Sequence, residues 1–328
     1  MVGAAGAAEA RARLAAADWL DAQGPYECFG QWWSLHTTDR AFAEMLDGLY
    51  APMRRAGPPP SAAHVRYRLL PAHDDSPGVL ERNGKVTGAR DSPTRLLGHL
   101  VWSINRQVID RSLDRLILHA AAVSVRGRVV VLPAAMESGK TTLATGLLDR
   151  GAAYLTDEAA AIDDATLTVE GFPKPLSIDR GSWHVLAHHE PNLPSDLAVY
   201  HQGQWQVQPA SFAAVEPQGS LGVFVFPAFE RGARTRIEPL RPVDALEHAM
   251  ACTFGPPRSL VPPAKVRQLA VVLGDVPAFR LVTGDLDRAC QLVMGVVDEL
   301  PEPGEQPAVP ADSDGESVDV HEEGEHQG

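Results

Sequence analysis

The stretch Val129-Val130-Val131-Leu132-Pro133-Ala134-Ala135-Met136-Glu137-Ser138-Gly139-Lys140-Thr141-Thr142-Leu143 decides how the chain is read. An apolar, β-branched run suited to a buried strand stops at Pro133, a turn follows, and a helix begins at Gly139-Lys140-Thr141. That order presents backbone N–H groups at a helix N-terminus, where they can surround phosphate oxygens. In a Walker A loop the lysine reaches the β- and γ-phosphates and the following hydroxyl binds Mg²⁺, roles that Lys140 and Thr141 fit. The expected nucleotide contacts run through Ala134, Ala135, Met136, Glu137, Ser138, Gly139, Lys140, Thr141 and Thr142. Two residues depart from the pattern. Ala134 stands where G-x-x-x-x-G-K-[ST] has its first glycine, and Glu137 brings a carboxylate into an anion-binding turn. The plainer alternative is an ordinary helix capped by Gly139 after a strand.

Working outward, Leu116 to Val125 and Arg128 to Leu132 read as two buried strands joined by a tight Arg126-Gly127 turn. The helix from Gly139 to Arg150 closes on Gly151, and the short strand Ala153 to Thr156 runs into Asp157-Glu158. A parallel strand ending beside the loop would place Asp157 with Thr141 on Mg²⁺, and Glu158 where it accepts a proton from an attacking hydroxyl. A helix cap or a solvated turn explains the same acidic pair. His119, inside the apolar run, is either an active-site residue or a hydrogen-bonded core histidine. Arg231, Arg234 and Arg236 follow the strand Leu221 to Phe226 and either neutralise phosphoryl charge or form a solvated basic turn.

The flanks complete an α/β pattern. Ala5 to Leu20 reads as a helix, and Asp39 caps a second one over Arg40 to Leu49. Arg54 to Pro60 looks like a linker, His64 to Leu70 a strand, and Asn83-Gly84 a hairpin turn within Val79 to Val86. Ser92-Pro93 opens a helix to about Asp110. Leu167 to Ile178, with Pro173 and Pro175, is extended but no central strand. Helices over Val243 to Ala251 and Ala264 to Leu273, a strand over Ala278 to Val282 and a final helix over Leu286 to Leu300 follow. The resulting division is an N-terminal α/β unit over 1–112, a P-loop unit over 113–300 and an acidic tail over 301–328.

The net charge of −13 is concentrated in that tail, which carries nine acidic residues and no Lys or Arg; the remaining body is about −4. Its Pro- and acid-rich composition predicts disorder. No basic stripe calls for a nucleic-acid partner. Glu9, Arg11, Arg13 and Asp18 interrupt the Ala-rich start, so neither a secretory leader nor a membrane span is expected, and the expected location is the cytoplasm. Cys28, Cys252 and Cys290 are too scattered for a zinc or disulfide framework. His188-His189-Glu190 carries metal-ligand chemistry without a second half, and Trp32, Trp33 and Trp183 suit packing.

Leu118-His119-Ala120-Ala121, the loop, the helix ending Asp149-Arg150-Gly151, and Tyr154-Leu155-Thr156-Asp157-Glu158 together resemble the core of the HPr kinase/phosphorylase family. The similarity is clearest from about Leu116 to Ile178. It implies an α/β fold of the HPr kinase/phosphoenolpyruvate carboxykinase type with a P-loop core. By the same resemblance the cofactors would be ATP and Mg²⁺, and the substrate a serine or threonine on a small protein or peptide. His119 would match the family's active-site histidine, and Lys140 its loop lysine. Thr141 and Asp157 would be metal ligands, and Glu158 the proton acceptor where the family has aspartate. Ile178-Asp179-Arg180-Gly181 is a thin echo of a later metal-binding motif, and no phosphorylase segment is identifiable. Two further readings stay open: a non-catalytic nucleotide-binding scaffold, and a kinase acting on a small molecule. A homo-oligomer is compatible with either.

Overall fold

The computed structural model describes residues 4–60, 64–72, 76–135, 138–255 and 261–301. Met136, Glu137 and the tail from residue 302 lie outside the described residues, and with them the expectations placed there. The chain is a mixed α/β structure with eight helices among the described residues.

The N-terminal part comprises α1 (Ala4–Ala16), β1 (Gln23–Cys28), β2 (Gln31–Thr37), α2 (Arg40–Tyr50), β3 (His64–Leu70), β4 (Gly78–Arg82), β5 (Lys85–Arg90) and α3 (Pro93–Asp110). Its five strands form one sheet in chain order, with β2 and β3 parallel and the other neighbours antiparallel. Asp39 caps α2 by accepting from Phe42 N at 2.7 Å, as its position predicts. Ser92 begins α3 without a side-chain cap bond; its carbonyl alone accepts from Leu96 N at 3.0 Å. The β1–β2 hairpin escapes sequence reading because Phe29 occupies the left-handed region (φ 52°) ahead of Gly30 (φ 76°). Phe is not a residue that signals such a turn, whereas Asn83-Gly84 (φ 48° and 82°) is.

The central part continues with β6 (Leu116–Val125), β7 (Arg128–Pro133), α4 (Lys140–Leu148), β8 (Ala153–Thr156), β9 (Ala159–Asp163), β10 (Thr168–Gly171), β11 (Leu176–Asp179), α5 (Ser195–Ala198) and β12 (Gln204–Val207). It ends with β13 (Gln218–Phe229), β14 (Arg236–Pro239), α6 (Pro242–Met250), α7 (Pro263–Asp275), β15 (Ala278–Thr283) and α8 (Leu286–Asp298). The large sheet runs β10-β9-β6-β7-β13-β15-β14, and β10 also pairs with β13, so five strands close a circuit. β11 and β12 form a separate hairpin.

Packing on both faces explains why β7 is apolar from Val129 onward. Val129 and Val131 pack with Ala245, Ala249, Leu269 and Val272 of α6 and α7. Val130 and Leu132 face the other way, onto Leu143, Ala144 and Leu147 of α4 and Cys290 and Val293 of α8. Covered on both faces, β7 buries Val129 to Leu132 completely, each side chain contributing about 1.5–3 kcal/mol. α4 and α8 meet closely across Gly146, where a Cβ would lie 2.9 Å from Cys290 Sγ and Leu286 Cδ1. Residues 112–113, the expected boundary between the two units, fall in the turn between α3 and β6. The aromatic core of the first sheet, with Tyr26, Trp33 and Tyr67, is continuous with Ile117, Ala159, Ala161 and Phe172 of the central part.

No helix among the described residues is long and apolar enough to cross a membrane.

Candidate functional site

The carboxyl end of β7 and the start of α4 carry the residues singled out in the loop. Gly139 is the N-cap of α4 with φ +85° and ψ 11°, a left-handed conformation that costs a glycine little and other residues more. The first bond of the helix runs from Leu143 N to Gly139 O at 2.9 Å, so the N–H groups of Lys140, Thr141 and Thr142 have no partner within the helix. Ser138 Oγ and Lys140 Nζ both donate to Ala135 O, each at 2.8 Å. Ala134, at the end of the strand, donates weakly from its N to His119 O at 3.4 Å. Thr142 Oγ1 lies 2.6 Å from Ser182 Oγ, on the segment that follows β11. Phe229, at the end of β13, is 56% exposed and its Cβ would meet a Cβ added at Gly139 at 3.6 Å, so the β13–β14 loop borders the turn.

The acidic pair reaches this region by a different route from the one expected. β8 pairs antiparallel with β6, and β6 also pairs antiparallel with β7, so β6 stands between β8 and the loop strand. β8 therefore points the same way as β7 without being its neighbour. At its end Thr156 Oγ1 accepts from Glu158 N and Ala159 N, both at 3.1 Å, turning the chain into β9. Asp157 is directed beneath α4: its Oδ2 accepts from Thr141 Oγ1 at 3.4 Å and from Ser177 N at 3.3 Å.

Sequence reading missed the group that dominates the other side of Asp157. Lys174 Nζ is 2.6 Å from Asp157 Oδ1, and both side chains are almost wholly buried. Tyr154 OH is 3.0 Å from the same Oδ1 and 3.0 Å from Lys174 O. Lys174 also donates to Pro175 O (3.0 Å) and Ser177 Oγ (3.2 Å), and Ser177 Oγ donates to Gln206 Oε1 at 3.1 Å. A buried ion pair overcomes its desolvation cost only with such saturation. The available signal was the Pro173-Lys174-Pro175 triplet: two fixed φ angles flank one long cationic side chain directly after an apolar Phe172.

Electrostatics follow from this burial. Burial raises the Glu158 carboxyl above its ordinary range, opposed by Lys174 and reinforced by Asp157. Burial likewise lowers the Lys140 ammonium, with Glu158 and Asp157 pulling it back up. The His119 imidazole is pushed down to about 4, first by burial and then by Lys140. Its ring meets Phe254 edge-on at 5.6 Å, and the backbone N of His119 donates to Cys252 O at 2.6 Å. The structure thus brings His119, Lys140, Thr141, Asp157 and Glu158 together electrostatically or by hydrogen bond. Among the arginines, Arg236 pairs with Glu238 at 2.9 Å, while Arg231 and Arg234 are exposed beyond Phe229. Trp183 stacks on Trp205 at 4.7 Å and Trp33 is fully buried, both as packing aromatics.

No family model matches the chain, and no curated protein matches it. Among solved structures it is similar to the Hpr(Ser) kinase/phosphatase from Coxiella burnetii, at 14% identity over 56% of this chain and 88% of that one. The TM-score is 0.29, too slight a likeness to establish a shared fold or activity.

Proposed function

We propose that the chain is an ATP- and Mg²⁺-dependent kinase acting on a hydroxyl, probed best as a serine or threonine of a small protein or peptide. One observation carries the reading: Thr141, in the first turn after Gly139-Lys140, lies 3.4 Å from the carboxylate of Asp157, sixteen residues away. A helix-start hydroxyl beside a strand-end acid is the donor set that P-loop enzymes use for Mg²⁺. The residues fit the group in three further respects. Gly139 leaves the turn without a Cβ, the first N–H groups of α4 have no partner within the helix, and Lys140 holds a loop carbonyl that a phosphate oxygen can replace.

When bound, Mg²⁺·ATP supplies the phosphoryl group and the charge around which catalysis is organised. Lys140 would bind phosphate oxygens, and Thr141 and Asp157 would hold the ion. Glu158 accepts the proton of the incoming hydroxyl, a task favoured by its raised pKa. His119, held neutral, offers a hydrogen bond and no charge. Arg231 and Arg234 are exposed in the loop that follows Phe229, and either would supply positive charge there.

Purified protein is incubated with ATP, Mg²⁺ and casein or a Ser/Thr peptide library, and nucleotide affinity and phosphate transfer are followed for wild type, Lys140→Ala and Glu158→Gln. The kinase reading expects Lys140-dependent binding and transfer that Glu158→Gln removes; no ATP binding at millimolar concentration would sink it. A second reading, a non-catalytic nucleotide-binding scaffold, is favoured by the closed Asp157–Lys174 pair, which competes with a metal for Oδ1. Lys140-dependent binding without any transfer selects that reading.

A further inference from the structure

His188 and His189, isolated in the sequence, find their missing partner forty residues upstream. His189 Nε2 lies 2.7 Å from Asp149 Oδ1 and His188 Nε2 lies 2.9 Å from Asp149 Oδ2. One ligand atom from each of the three residues falls within 4.8 Å of the other two. The His189 ring is buried against Phe212, at 4.1 Å between centroids, whereas the His188 side chain is 59% exposed. The cluster therefore has one fixed ligand and one open to solvent.

The position of Asp149 supplies an independent reason for a cation. It is the C-cap of α4, with its N–H on Thr145 O, and so sets a carboxylate at the negative end of the helix dipole. Its neighbour Arg150 does not offset that charge, because the guanidinium turns to Gly146 O at 2.7 Å and to Asp287. Two imidazole nitrogens with one carboxylate oxygen suit zinc and the other late first-row divalent ions. The two N···O separations, 2.7 and 2.9 Å, are hydrogen-bond distances, and reaching the roughly 3.3 Å edge of a tetrahedron with bonds of about 2.05 Å takes a shift of about half an ångström.

We propose that Asp149, His188 and His189 form a divalent transition-metal site, with Zn²⁺ as its ion. The ion ties the C-terminal end of α4 to the segment after β11. That same segment already holds the first turn of α4 through Ser182 and Thr142. Both ends of the lysine-bearing helix are then fixed to one stretch of chain, so the site braces the loop without touching it. The proposal does not depend on the kinase reading.

Metal-free full-length protein is titrated with ZnCl2 in excess Mg²⁺, followed by calorimetry and by thermal melting, and with CoCl2 followed by visible absorption. The expected result is one equivalent of Zn²⁺ bound at about 1 µM or tighter. Ligand-field bands should appear with Co²⁺, and the melting temperature should rise with Zn²⁺. His188→Ala, at an exposed position that folding does not need, weakens binding by about 10-fold or more and abolishes the rise, and His189→Ala does the same. A double His321→Ala/His326→Ala variant, which removes the two histidines of the acidic tail, keeps wild-type affinity. No saturable binding below about 100 µM overturns the proposal, as does unchanged affinity in His188→Ala or loss of binding in the His321/His326 variant.

Discussion

Lys140 and Lys174 are both buried, and both lie near Asp157 and Glu158, yet their surroundings differ in kind. The Lys140 ammonium sits in the first turn of α4 and donates to a single loop carbonyl, Ala135 O. The Lys174 ammonium, between two prolines, is closed in by Asp157 Oδ1, Pro175 O and Ser177 Oγ. One region is arranged to exchange a partner and the other to keep it. Exchange needs donors at a helix start with little to lose on leaving; retention needs a desolvated pair with its remaining hydrogen bonds filled.

The largest expected effect breaks the retained pair. Lys174→Met leaves the Asp157 carboxylate buried without its cation, which costs about 3–5 kcal/mol. Urea unfolding measures it, and adding Asp157→Asn should recover part of the loss. A cost below about 1 kcal/mol would mean that the pair opens readily and that Lys174 belongs with Lys140 as an exchangeable group.

Lys140→Ala should show the opposite division. Its ammonium is destabilised by burial, so removing it leaves stability unchanged or slightly raised. If the chain is the proposed kinase, nucleotide-dependent turnover should fall by about 10²–10³-fold, the usual loss for a donor aimed at developing charge. Unfolding and turnover measured on the same preparation separate the two lysines; a large loss of stability in Lys140→Ala would erase the contrast.

His119 tests how dry the space between the lysines is. Its folded pKa of about 4 lies below the ordinary 6.5, so the native imidazole stays neutral while the unfolded one takes up a proton. Stability from this group is present in full above about 6.5 and is lost as pH falls toward 4. His119→Gln should therefore lose less stability than wild type between pH 7 and pH 4.5, in denaturant melts at each pH. Parallel losses would show that water reaches the imidazole.

How much of this was legible in the sequence depends on the range of the interactions. The strand–turn–helix at Val129 to Leu148 could be read because its parts are contiguous: apolar β-branched residues, then Gly139, then helix formers. The Asn83-Gly84 hairpin and the Asp39 cap were readable for the same reason. The route of Asp157 was not, because the placement of β6 between β7 and β8 is a matter of strand order. Lys174 was missed because its partner is seventeen residues away through two strands, and nothing local marks a lysine as buried. The β1–β2 turn at Phe29-Gly30 breaks local rules and is held by tertiary packing and by Glu27 accepting from Gly30 N at 2.7 Å.

The smallest expected effect concerns Tyr154, which links the two regions. Its hydroxyl lies at 3.0 Å from Asp157 Oδ1, the oxygen already facing Lys174, and burial raises its pKa well above the usual phenol range, so it acts as a donor at any working pH. Holding Oδ1 leaves Oδ2 turned toward Thr141. Tyr154→Phe removes the hydroxyl while keeping the ring in its packed site, so the cost is that of one hydrogen bond to a charged group, about 1–2 kcal/mol. For the proposed kinase, a hydroxyl that served stability alone would leave both turnover at saturating Mg²⁺ and the half-saturating Mg²⁺ concentration fixed. If it aims the carboxylate, the half-saturating Mg²⁺ concentration should rise a few-fold while the maximal rate is kept, because a carboxylate free to rotate presents Oδ2 to Thr141 for only part of the time. A Mg²⁺ dependence identical to wild type, alongside the stability loss, would place Tyr154 wholly on the retaining side of the comparison.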